Sequence, residues 1–149
     1  MSLLTKSAVR LGDIARSVAA RSQRRRQRRV TVTKAAPVDV TGSARQLERA
    51  VSNLIDNAVK YSPDATSIDV VIEGSTLSDE DRGRGIAPED RGRIFGRFYR
   101  AVDVRSDPGS GLGLSIVDEI VRRHGGTVFA GPREGGGSTV GFTLPHSPT

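Results

Sequence analysis

Three groups of residues in this chain have the types and the spacing that chemistry requires. Asn53, Asn57 and Lys60 fall at i, i+4 and i+7, which is one face of a helix. Amide oxygens are hard ligands suited to Mg²⁺, and an ammonium suits phosphate. Asp81-x-Gly83-x-Gly85 puts a carboxylate at the end of an extended segment, where it can accept a hydrogen bond from an amino group. The two glycines let the chain turn sharply and approach a flat ring without a Cβ clash. Gly109-x-Gly111-x-Gly113 precedes a helix and offers free N–H groups at the positive end of its dipole, a natural phosphate site. Each group also has an ordinary reading: the polar back of an amphipathic helix, an Asp-Gly turn, and a flexible hinge. The third is not a Walker loop, because no Lys-Ser/Thr follows Gly113. It also lacks the βαβ setting, with an acidic residue about 20 positions on, of a dinucleotide fingerprint.

The elements that must position these groups can be placed in order. Leu11, Ile14, Ala15, Val18 and Ala19 predict a helix from about Leu11 to Arg28, with Asp13 at its positive end. Val30-Thr31-Val32-Thr33 alternates as a strand, and Pro37 to Val40 supplies a second short edge strand. Ser43, three residues before Gln46, suits an N-cap of the capping-box kind. The helix it opens runs to about Tyr61, with Leu47, Ala50, Val51, Leu54, Ile55, Ala58 and Val59 on its apolar side, and Ser62-Pro63-Asp64 stops it. Ser67 to Glu73 and Ser75 to about Glu80 follow as a hairpin through Gly74-Ser75. The second of these fits a buried strand poorly, because Asp79 and Glu80 stand where apolar side chains would help. Pro88 suits the first turn of a short helix, and Ile94-Phe95 and Phe98-Tyr99 form the main aromatic cluster. Residues 101–108 lack a hydrophobic anchor and are expected to be a mobile loop. The last helix buries Ile116, Val117, Ile120 and Val121 and stops at Gly125-Gly126. Thr127 to Ala130 and Ser138 to Leu144 close the chain as strands around a Gly-rich turn. This order predicts an α+β fold, an α/β two-layer sandwich with a mixed, mainly antiparallel sheet of about five strands and about three helices on one face.

With 149 residues the chain suits a single domain, its core about residues 11–145. The absence of cysteine removes disulfides, thiolate metal sites and thiol nucleophiles together. No run approaches the roughly 18–20 apolar residues of a membrane span, and residues 1–10 lack the apolar core of a signal peptide. A soluble, cytoplasmic chain is expected. The net charge of +6 sits in one place. Without Arg21, Arg24, Arg25, Arg26, Arg28 and Arg29, basic and acidic residues balance at 17 each. Such a run suits a solvated helix face with favourable charges at its C-terminal end. No aromatic residue interleaves it, unlike basic runs that bind single strands, so no nucleic-acid partner is expected.

The three groups occur together in a fixed order, and in that combination the chain resembles the ATP-binding catalytic domain of two-component sensor histidine kinases. That domain has a Bergerat-type fold shared with gyrase, the Hsp90 chaperone and the MutL repair protein. The matching stretches are Asn53 to Ser62 for the N box, Asp81 to Ile86 for the first glycine box, Ile94 to Arg100 for the F box and Gly109 to Leu114 for the second glycine box. The resemblance implies that Asn57 holds Mg²⁺, that Asn53 lies near the phosphates or metal-bound water, and that Lys60 and Arg100 neutralise phosphate charge. It also implies that Tyr61 and Tyr99 lie near the nucleotide, and that Asp81 reads the adenine amino group with Gly83, Gly85 and Ile86 beside it. Gly109, Ser110, Gly111, Leu112, Gly113 and Leu114 would follow the phosphates, with residues 101–108 as their lid. Asn53 stands where the gyrase and chaperone branches carry a Glu that activates water. Asn cannot act as a base near neutral pH, so phosphoryl transfer fits better than hydrolysis.

The implied protein is a histidine kinase whose acceptor histidine lies on a dimerisation domain outside this chain. It is expected to form a membrane-bound homodimer that passes phosphate to a response regulator, while this chain alone is expected to be monomeric and not to autophosphorylate. Of the two histidines, His124 borders the Gly-Gly stop and suits a structural role, and His146 is in the tail. Asp79 departs from the family pattern, which is apolar two residues before the Asp of the first glycine box. A standalone serine kinase of the same fold, of the anti-sigma-factor type, is the alternative. An Arg-rich nucleic-acid-binding module is the third reading.

Overall fold

A computed structural model describes residues 7–26, 29–34, 39–62, 66–82, 94–95, 113–132 and 136–145. Their elements run β1 (Ser7–Arg10), α1 (Leu11–Arg26), β2 (Val30–Lys34), β3 (Asp39–Gly42), α2 (Ala44–Tyr61), β4 (Ile68–Glu73), β5 (Thr76–Asp81), α3 (Gly113–Arg123), β6 (Thr127–Pro132) and β7 (Ser138–Thr143). Five strands form one sheet in the order β2-β4-β5-β7-β6. Only β2 and β4 pair in parallel, and the other neighbours are antiparallel, so the sheet is mixed as the element order predicts.

Alternation along the strands gives this sheet one apolar face. Ile68, Val70 and Ile72 of β4, Leu77 of β5, and Val140 and Phe142 of β7 are all buried. The helices cover them with stripes at helical spacing. Leu11, Ile14, Val18 and Ala19 are buried on α1, Leu47, Val51, Leu54 and Ile55 on α2, and Val117, Ile120 and Val121 on α3. α2 packs against both of the other helices and against β4 and β5, so it is the hub of the helical layer.

Helix ends follow local chemistry. Ser43 caps α2, its hydroxyl accepting the Gln46 N–H at 3.2 Å. Among the bonds of the described residues, the reciprocal half of a capping box is replaced. The Ser43 N–H donates to Nε2 of His124 at 3.0 Å. α3 ends in a Schellman motif, with Gly126 N–H to the Val121 carbonyl and Gly125 N–H to the Arg122 carbonyl. Gly125 takes φ +78° there, which a residue with a Cβ rarely adopts.

Two expectations are corrected. The extended stretch near Val40 is β3, residues 39–42, and it pairs with β1 in a separate two-stranded sheet instead of edging the main one. Arg10 closes that pair on Asp39 at 3.1 Å. Second, the acid-bearing segment is a full strand, β5, in the middle of the sheet. Its place is set by ladders to β4 and β7, with Glu80 on the face away from the helices and Asp79 and Asp81 facing them. Sheet partners on both sides outweigh the unfavourable composition of the segment.

The basic cluster is partly used within the fold. Arg21 reaches Glu48 at 3.1 Å and Arg25 reaches Asp56 at 2.9 Å, so two cations of α1 tie it to α2. No helix among the described residues is long and apolar enough to cross a membrane.

Candidate functional site

Asp81 is the last residue of β5, and its side chain is only 4% exposed. A strand end is where a side chain can remain in the core layer while the following chain leaves the sheet. Ser138, its cross-strand partner on β7, donates its hydroxyl to Asp81 Oδ2 at 2.9 Å. Gly137, just before Ser138, has φ +97°, and a Cβ there would collide with the Asp81 carbonyl. The glycine thus lets the β6–β7 turn lie directly against the strand end that carries the carboxylate.

Arg82 fixes where that strand ends. One guanidinium nitrogen donates to the carbonyl and hydroxyl of Ser67 at 2.8 and 2.9 Å, and the other to Asp69 Oδ2 at 2.9 Å. Thr31 of β2 donates to the other oxygen of Asp69 at 2.6 Å. Three strands are therefore laced together beside Asp81. Arg82 occupies the variable position between Asp81 and Gly83, so its role is invisible to a motif written as D-x-G-x-G. Ser138 was missed as well. The only available signal for it was its place at the start of the closing strand.

Asn53 and Asn57 lie one turn apart on α2, both half-buried, and Lys60 is exposed in the last turn. Asn53 Nδ2 donates to the carbonyl of Gly113, the first residue of α3, at 3.3 Å. This contact brings the polar face of α2 to the glycine-rich entry of α3, two features 60 residues apart. The carbonyl can only accept, so the amide nitrogen must face it and the amide oxygen must face away. Leu114 anchors the same helix end at 8% exposure, and Ile94 and Phe95 at the start of the F box pack into the core.

Of the candidate site residues, Asn53, Asn57, Lys60, Asp81, Gly113 and Leu114 lie in described elements. Gly83, Gly85, Ile86, Tyr99, Arg100, Gly109, Ser110, Gly111 and Leu112 lie outside the described residues, as do the short helix expected at Pro88 and the lid expected at 101–108. Tyr61 closes α2, but its side chain is outside the described part.

Burial holds the Asp79 carboxyl well above the usual carboxylate range, and the charge of Asp81 raises it further. A backbone hydrogen bond opposes these effects in part. Among the described residues, no three His, Cys, Asp or Glu side chains cluster as a metal site.

Residues 42–148 match the family described as histidine kinase-, DNA gyrase B- and HSP90-like ATPase. The signal transduction histidine-protein kinase/phosphatase MprB of Mycolicibacterium vanbaalenii is 44% identical over 115 residues, covering 72% of this chain and 23% of the relative. The chain thus spans about a quarter of the length of that curated relative. Among solved structures, a mycobacterial sensor histidine kinase MprB superposes with a TM-score of 0.82 and 34% identity, over 97% of this chain and 100% of that one. Full-length ShkA in complex with AMPPNP superposes with a TM-score of 0.77 and 28% identity, over 99% of this chain and 32% of that one. Fold, site order and sequence agree, and the chain belongs to the histidine kinase-, DNA gyrase B- and HSP90-like ATPase family as a catalytic ATP-binding domain of the sensor histidine kinase type.

Proposed function

We propose that this chain binds Mg-ATP between α2, the end of β5 and the entry of α3, and donates the γ-phosphoryl group to a histidine on a separate dimerisation domain. The observation that carries this reading is the Asn53 contact to Gly113, which joins the amide-bearing face of α2 to the glycine-rich helix entry. At the end of β5, Asp81 reads the adenine amino group. A carboxylate accepts from the N6 amino group and repels the carbonyl that guanine presents at the same place. Gly83, Gly85 and Ile86 complete the base pocket beside it.

The amide face suits a metal that arrives with its own anions. Phosphate supplies the charge, and Asn57 adds a neutral oxygen ligand. When bound there, Mg²⁺ would offset the charge of the phosphates during transfer. Lys60 and Arg100 supply further positive charge, Tyr61 and Tyr99 border the nucleotide, and Gly109 to Leu114 follow the phosphates to the start of α3. Asn53 supports transfer over hydrolysis in two ways. It cannot act as a base, and its donor is directed at a carbonyl that a Glu in its place would repel.

The similarity to sensor histidine kinases favours histidine as the acceptor, with a response regulator receiving the phosphate next. Calorimetric titration with ATP, ADP and GTP, with and without Mg²⁺, tests the binding half. Asp81→Asn is expected to weaken ATP at least about tenfold, and Asn57→Ala to remove most of the Mg²⁺ dependence. Undiminished binding by Asp81→Asn refutes the base assignment. Adding a histidine-bearing dimerisation domain tests the transfer half, which requires acid-labile phosphate on that domain. Acid-stable phosphate on a serine protein would favour the anti-sigma-factor type of kinase, and stable label on His124 or His146 would overturn the separate acceptor.

A further inference from the structure

The central strand carries a second buried carboxyl. Asp79 precedes Asp81 by two residues on β5, so both side chains face the helical layer. Asp79 is 2% exposed, and its cross-strand neighbours Val70 and Val140 are apolar and buried. Among the described residues no group hydrogen-bonds its Oδ1. A buried carboxyl oxygen with no partner is costly, and an apolar side chain would serve the strand better. Asp79 therefore sits beside the base-reading residue at a cost to the fold.

We propose that Asp79 is a second base-reading residue, which complements the N1 side of the adenine edge while Asp81 complements the amino side. This rests on the assignment of Asp81 to adenine given above. Adenine presents a donor, its N6 amino group, next to an acceptor, N1. The matching surface is an acceptor next to a donor. Asp81 supplies the acceptor. Asp79, in which burial and the charge of Asp81 favour the protonated form, supplies an O–H donor from an Oδ1 that otherwise lacks a partner. Side chains two apart on a strand are separated by roughly 7 Å, so the Asp79 contact runs through one bridging water. Guanine presents the reverse pattern and is mismatched by both residues.

The surroundings of Asp79 leave Asp81 as the charge that governs it. On β4 and β7 its neighbours are Val70 and Val140, while Asp69 and Glu80 pair on the opposite face of the sheet. On α2, the helix packed against β5, Glu48 and Asp56 pair with α1, and Arg45, Arg49 and Lys60 are exposed.

The test compares ATP with 1-deaza-ATP, in which ring N1 is replaced by CH, in the full chain and in Asp79→Asn, Asp79→Leu and Asp81→Asn. The parent is expected to bind 1-deaza-ATP roughly tenfold more weakly than ATP. Asp79→Asn retains a donor and keeps most of that ratio, whereas Asp79→Leu binds the two ligands within about twofold. Raising the pH until Asp79 loses its proton shrinks the ratio in the parent but not in Asp79→Asn. Two results overturn the proposal: full parental discrimination in Asp79→Leu, or no discrimination in the parent at any pH. Asp81→Asn separates the two levels. If it binds ATP as tightly as the parent, the adenine assignment itself fails. If it loses ATP while Asp79→Leu still discriminates, only the role of Asp79 fails.

Discussion

The imidazole of His124 accepts the backbone N–H of Ser43 at 3.0 Å, so the end of α3 caps the start of α2 across 81 residues of sequence. A backbone N–H can only donate, which fixes Nε2 as the acceptor and places the ring proton on Nδ1. From there it donates to the Ile120 carbonyl at 2.8 Å. Both ring nitrogens are thereby engaged within the fold, at 7% exposure. His124→Ala is expected to cost about 2 kcal/mol, because it removes buried volume and leaves the Ser43 N–H unpaired. Urea unfolding measures this loss. ATP affinity extrapolated to the folded population should stay within about twofold of the parent.

Asp79 has a stability signature separate from any role in base reading. Its folded-state pKa lies above the unfolded one, so the folded state holds the proton more tightly. Its contribution is therefore most favourable below about pH 4 and falls as pH rises toward the folded value. Asp79→Leu should stabilise the protein at neutral pH by about 1–3 kcal/mol, with a smaller gain at pH 5 than at pH 8. Denaturant midpoints at the two pH values check this, and a gain that ignores pH would contradict it.

Asn53→Asp changes one atom group of the α2–α3 contact. It replaces a donor with an acceptor that faces the Gly113 carbonyl, and it brings negative charge to the proposed phosphate site. A loss of about 1 kcal/mol in stability and roughly tenfold in ATP affinity is expected. The gyrase-like alternative predicts an increase in ATP hydrolysis instead, which a steady-state phosphate-release assay would detect.

The arginines of α1 offer a charge test. Their ion pairs with Glu48 and Asp56 are largely exposed, so Arg21→Ala and Arg25→Ala should each cost less than about 1 kcal/mol, and less again in 0.5 M salt. A nucleic-acid role predicts steeply salt-dependent DNA binding that vanishes in the double variant. Fluorescence anisotropy with labelled DNA decides between the two outcomes.

These residues also show what could be seen in the chain before its structure. The apolar stripe of α2 and the N-cap at Ser43 depend on neighbours within two turns, so local spacing was enough to locate them. The pairing of β1 with β3 depends on two four-residue strands about 30 residues apart, and neither has a distinctive pattern. β5 was undervalued because burial of Asp79 is imposed by β4, β7 and α2, not by its own composition. The site divides along the same line. Asn53, Asn57 and Asp81 were visible as residue types at set spacings, whereas Ser138, Arg82 and the capping function of His124 arise only from long-range packing.

The contact between Asn53 and Gly113 also has a kinetic consequence. Both partners belong to this chain, so the docking of the two helices needs no group that the nucleotide supplies. On the proposed assignment, association is then expected to approach the rate typical of preorganised sites, with differences among nucleotides appearing mainly in how long each stays bound.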